Sequence, residues 1–142
     1  KNLKRLQGGC PIHARVSADD VKKARALHPN AELLVHPECV PKVVAQADFV
    51  GSTSAIMEHA AASEGKEFII GTEISIAEHL SYRCPDKRFY LLSKNLICPN
   101  MKLTTLMDVY HAVAGEGGDE ILLDAETIEK ARKCIDRMIE LG

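Results

Sequence analysis

The chain of 142 residues has no tryptophan and only three tyrosines and three phenylalanines. That scarcity excludes an aromatic core. With 46% apolar residues, the core must be aliphatic and alanine-rich. No apolar run approaches the roughly 20 residues a membrane-spanning helix needs. No block of one charge occurs, and the formal net charge is only −2. A nucleic-acid stripe and a charged disordered tail are both excluded. No Cys-x-x-Cys pair is present among Cys10, Cys39, Cys84, Cys98 and Cys134. An odd count argues against a secreted disulfide framework and for a reducing, cytoplasmic setting, with thiols free or metal-bound. A structural zinc site is disfavoured, because knuckle spacing is missing. The basic start, Lys1 to Arg5, has no apolar segment behind it, so no signal peptide is expected. No low-complexity stretch or internal repeat is visible. The length suits one domain, or one domain with an extension.

What is present is an alternation. Ser17 with Asp20 three residues on has the form of a capping box, and a helix should follow to Leu27, stopped by His28-Pro29-Asn30. Leu33-Leu34-Val35 reads as a short buried parallel strand. Pro41 suits the first turn of a helix to Ala47. Asp48-Phe49-Val50 is a second strand, and Gly51 to Ser54 open a helix through Ala62. Glu67 to Gly71 is a third strand, followed by a helix from Ile74 to Tyr82. Arg88 to Leu92 is a fourth strand. Strands alternating with short helices predict an α/β fold, a three-layer αβα sandwich on a short, mainly four-stranded parallel sheet. Beyond Cys98 the pattern becomes helical. Thr104 to Ala114 carries Leu106, Val109, Tyr110 and Val113 on one face. Asp124 caps a last helix striped with Ile128, Ala131, Ile135, Met138 and Ile139.

Such sheets place their chemistry at the C-terminal ends of the strands. Polar residues fall at three successive ends: His36 and Glu38, Ser52 and Thr53, Thr72 and Glu73. Each has a plain reading beside the chemical one. A histidine can be a hydrogen-bonded structural residue or can move protons near neutral pH. Ser52 and Thr53 can simply cap a helix, or can hold a carboxylate beside its free N–H groups. Glu38 lies two residues past His36; if the backbone there is extended, both side chains project to the same side, and Glu38 could act as a general base. Arg15 could face a dicarboxylate or only solvent.

Five segments, in order, make the pattern specific. They are Cys10-Pro11-Ile12-His13, Val35-His36-Pro37-Glu38-Cys39, Ala47 through Ser54, Gly71-Thr72-Glu73, and Cys98-Pro99-Asn100-Met101. Together they resemble quinolinate synthases over nearly the whole chain. That resemblance implies a longer enzyme of three similar αβα domains about a pseudo-threefold axis. A [4Fe–4S] cluster lies on the axis, held by one cysteine associated with each domain. Cys10 and Cys98 match the second and third of these cysteines, and the first would lie upstream. Three thiolates on four irons leave one iron open as a Lewis acid.

The resemblance further implies His13, His36 and Glu38 as catalytic residues, and His36, Ser52, Thr53 and Thr72 as substrate contacts. The implied reaction is a transferase-type condensation of iminoaspartate with dihydroxyacetone phosphate to quinolinate, in de novo NAD biosynthesis. Its partners would be the N-terminal domains of the same enzyme and an aspartate-oxidising enzyme that supplies iminoaspartate, with no nucleic acid and no membrane. Residues 1–9 would end a preceding segment, 10–98 form the αβα domain, and 99–142 form a C-terminal helical extension. The rival reading is a non-catalytic, flavodoxin-like binding domain with incidental cysteines. Cys39, Cys84 and Cys134 match no ligand position.

Overall fold

A computed structural model describes residues 8–141. Residues 1–7, which the sequence assigns to the end of a preceding segment, lie outside the described residues. The chain divides into two compact units, one ending at Pro99 and the other starting at Asn100.

The first unit alternates α1 (Ala18–Leu27), β1 (Glu32–Val35), α2 (Pro41–Val44), β2 (Phe49–Val50), α3 (Thr53–Ala62), β3 (Glu67–Gly71), α4 (Ser75–Arg83) and β4 (Arg88–Leu91). All strand pairings are parallel, and the order across the sheet is β2-β1-β3-β4. The α/β sandwich expected from the sequence is therefore what forms. Its layers follow from the two-residue period of a strand. Leu33, Val35 and Ile69 point to one face and pack with Val21 and Ala24 of α1 and Val43 of α2. Leu34, Phe68 and Ile70 point to the other and pack with Ile56 and Ala60 of α3 and Ala77 and Leu80 of α4. Because β1 and β3 are covered on both faces, they read as unbroken apolar runs.

Local chemistry sets the boundaries. Ser17 and Asp20 form the reciprocal capping box at α1. Ser52 caps α3 by accepting the Ala55 N–H. Lys87 donates to the carbonyls of Ala60, Ala61 and Ser63, so its ammonium satisfies the C-terminal end of α3. β2 is one residue shorter than expected. Asp48 still donates its N–H to the Leu33 carbonyl, but its carboxylate takes the Leu33 N–H at 2.7 Å, so a side chain replaces one rung of the ladder. α2 closes at Val44 rather than Ala47, with tight turns continuing through Gln46 and Ala47.

The second unit holds α5 (Leu106–Ala114) and α6 (Ala125–Leu141). Thr105 and Asp108 form a second capping box, and Gly115 ends α5 at φ 72°, the left-handed turn glycine favours. Asp124 caps α6 through the Thr127 N–H. Leu123, Ile128, Ala131 and Ile135 line a shallow groove of about 450 Å³. No residue of α5 or α6 is buried. Among the described residues, no helix is long and apolar enough to cross a membrane.

Candidate functional site

The strand order reverses direction between β1 and β3. The chain leaves β1 through α2 toward β2, and leaves β3 through α4 toward β4. In open parallel sheets the crevice beyond such a reversal is the natural ligand site. His36 continues the ladder by donating its N–H to the Gly71 carbonyl at 3.1 Å. The polar ends of β1 and β3 are thereby set side by side. Cys39 also donates to that carbonyl, from its thiol at 3.5 Å. Gly71 permits the close approach: a Cβ there would meet Val35 Cγ1 at 2.7 Å.

Cys10 and His13 enter the same crevice from the segment before α1. The Ala14 N–H donates to the Cys10 carbonyl, closing one helical turn. Residues three apart on such a turn share a face. His13 is 8% exposed and its Nε2 lies 3.1 Å from Thr72 Oγ1, across 59 residues of chain. Its ring stacks on His36, with centroids 4.3 Å apart and planes 6° from parallel. Glu38 Oε2 lies 3.4 Å from His13 Nδ1 and 3.6 Å from His36 Nδ1. The Glu38 N–H donates to His36 Nδ1 at 3.2 Å, which fixes the turn after β1. Burial, then the neighbouring His36, hold the His13 imidazole below its ordinary pKa against the opposing pull of Glu38, so it stays neutral at neutral pH.

Thr72 is 1% exposed, and Glu73, next in sequence, is 6% exposed. Glu73 accepts the Ser75 N–H at 2.8 Å and, at the outer limit of a hydrogen bond, the Cys98 N–H at 3.5 Å. The Ile74 N–H donates to the Leu96 carbonyl, tying the same strand end to the segment before Cys98. Cys10 and Cys98 are both half-buried and pack against one core cluster on one face of the sheet. Two such thiols are the donors an iron–sulfur cluster takes. Cys39 is a poorer donor, since burial pushes its thiol up to about 11. Cys84 is buried at the end of α4 and Cys134 is exposed on α6.

Of the residues expected from sequence, Cys10, His13, His36, Glu38 and Thr72 meet in one cluster, and Cys98 packs against the same core as Cys10. Ser52 and Thr53 stand at the neighbouring strand end, where the Gly51 N–H donates to the Val35 carbonyl. Ser52 is engaged there as a cap. The residue sequence reasoning left without a role is Glu73. A carboxylate directly after a strand, beside a threonine, was the available signal, but its burial is not legible in a linear string.

The site is a polar, thiol-bearing crevice at the reversal point of an α/β sheet. Residues 1–140 match the family model described as quinolinate synthetase A protein. The chain is 46% identical over all 142 residues to the quinolinate synthase of Caldicellulosiruptor bescii and 48% identical over the same length to that of Caldicellulosiruptor saccharolyticus, each time covering 46% of the relative. It is 49% identical over 135 residues to that of Alkaliphilus metalliredigens, which is 95% of this chain and 44% of the relative. The chain belongs to the quinolinate synthetase A family. It spans about half the length of the curated relatives it matches.

Proposed function

We propose that this chain supplies two cluster thiolates and much of the substrate crevice of a cytoplasmic quinolinate synthase, which condenses iminoaspartate with dihydroxyacetone phosphate to quinolinate for NAD biosynthesis. The observation that carries this reading is the convergence of Cys10, His13, His36, Glu38 and Thr72 at the reversal point, with Cys98 packed against the same core cluster as Cys10. It brings two cysteines far apart in sequence against one face of the sheet. Cys10 and Cys98 would hold a [4Fe–4S] cluster together with a third thiolate from outside this chain. When bound, that cluster supplies a Lewis acid at the iron that no cysteine holds.

The protein's own groups divide the remaining work. Neutral His13 donates a hydrogen bond without adding charge to the crevice. Glu38, whose side chain is 46% exposed, is the accessible carboxylate beside two imidazoles. It accepts a proton from a carbon acid or an enamine nitrogen and returns it in the next step. His36, stacked on His13, orients a substrate carboxylate or carbonyl at the crevice mouth. Ser52 and Thr53 present hydroxyls and the free N–H groups of α3 to a second carboxylate. The phosphate of the triose and the remaining domains of the enzyme complete the complex from outside this chain.

Anaerobic purification of the complete enzyme tests both parts. Cys98→Ala should lose the brown chromophore and its iron and sulfide. A fully retained cluster removes Cys98 as a ligand. Glu38→Gln should lower turnover by about 10²–10⁴ with the cluster spectrum unchanged. Near-normal turnover refutes Glu38 as the base.

A further inference from the structure

Cys10, His13 and Glu38 place one thiol, one imidazole and one carboxylate within 4.8 Å of one another. Among the described residues, the buried His13 Nδ1 has no partner within hydrogen-bond geometry. Its separation from Glu38 Oε2, 3.4 Å, is long for an N–H···O bond. It is, however, the spacing of two ligands on one ion. Nitrogen and oxygen each about 2.0–2.2 Å from a tetrahedral zinc stand about 3.4 Å apart. At its other nitrogen the ring is held by Thr72 Oγ1. In the tautomer that donates Nε2–H to Thr72, the Nδ1 lone pair faces the carboxylate, an arrangement that a cation between them relieves. Histidine ligands of metals characteristically have their second nitrogen anchored in this way.

We propose that Cys10, His13 and Glu38 form a mononuclear site for zinc or a similar late first-row divalent ion in the cluster-free protein. This goes beyond the synthase reading and shares only Cys10 with the cluster. A mixed sulfur, nitrogen and oxygen donor set is the chemistry that zinc and cobalt accept. Binding releases the Cys10 thiol proton. Glu38 is the exposed member, so water reaches a fourth position. One thiolate cannot serve both centres, so an ion seated here blocks cluster assembly.

The test is a Co²⁺ titration of the whole chain, freed of iron and kept anaerobic. One ion per chain should bind, with a thiolate-to-cobalt charge-transfer band and the visible bands of tetrahedral cobalt, and Zn²⁺ should displace it. Cys10→Ser should abolish the charge-transfer band. His13→Gln and Glu38→Gln should each weaken binding by tenfold or more, and Thr72→Val by about tenfold, the scale of a lost anchoring bond. Cys98→Ala should leave cobalt affinity unchanged. Because Glu38 is exposed, its substitution spares the fold, and wild-type affinity in Glu38→Gln overturns the proposal. Loss of cobalt in Cys98→Ala also overturns it, by moving the ion to the cluster cysteines. Cluster retention in Cys98→Ala would instead remove Cys98 as a cluster ligand and leave the cobalt result standing, so the two failures are distinguishable.

Discussion

The two units bury their apolar residues very differently. In the sheet unit, Leu33, Leu34, Phe68, Ile69 and Ile70 are inaccessible to solvent, each with a helix partner from the same unit. In the helical unit, α6 carries an apolar stripe of similar quality, yet Met138 and Ile139 remain more than two-thirds exposed. Both regions obey the periodicity of their secondary structure. Only the first closes its own core. Periodicity therefore specifies which face is apolar, and it takes a second layer to turn that face into stability.

The sharpest way to break the comparison is truncation in both units. Phe68→Ala should cost the sheet unit about 3–5 kcal/mol, read by urea unfolding followed by circular dichroism. Ile139→Ala in the same chain should change stability by less than about 0.5 kcal/mol. Helicity should stay level or rise slightly, since alanine is the better helix former. Equal losses in the two variants would mean that α6 has a buried partner.

A smaller effect separates the units by capping. The helical unit relies on local bonds, so Thr105→Ala should cost about 1 kcal/mol of α5 stability and visibly lower its helix signal.

The smallest expected effect is acid sensitivity. Hydrogen bonds from Thr105 to Asp108, and from Thr127 to Asp124, hold both carboxyls below the usual aspartate range. A depressed folded pKa means that these caps contribute fully above the unfolded value of about 3.9 and fade as pH falls below it through the folded values. Helix signal from the second unit should decline in that window, and Asp108→Asn should remove part of the pH dependence. A signal flat through the acid range would show that the caps contribute nothing.

Much of the sheet unit was legible because its cues are local. Ser17 and Asp20, the Leu33–Val35 run and the Glu67–Gly71 run each carry their own signal. The Thr105–Asp108 box has the same form as the first and starts α5 at Leu106, whereas the apolar face alone points to a start at Thr104. The site was legible only in its parts. The residues at three strand ends are visible in the sequence, but the His13–Thr72 contact depends on a strand register that pairs Val35 with Gly71. The burial of Glu73 and the hydrogen bond of Cys39 to Gly71 likewise arise from packing between segments distant in sequence.

That register gives Gly71 a meaning of its own. One carbonyl serves both His36 and Cys39, and the missing side chain lets β3 lie against Val35. The absent methyl acts as a spacer of zero thickness. It sets the gap between the segments that follow β1 and β3, so the width of the crevice is written at a residue with no functional group.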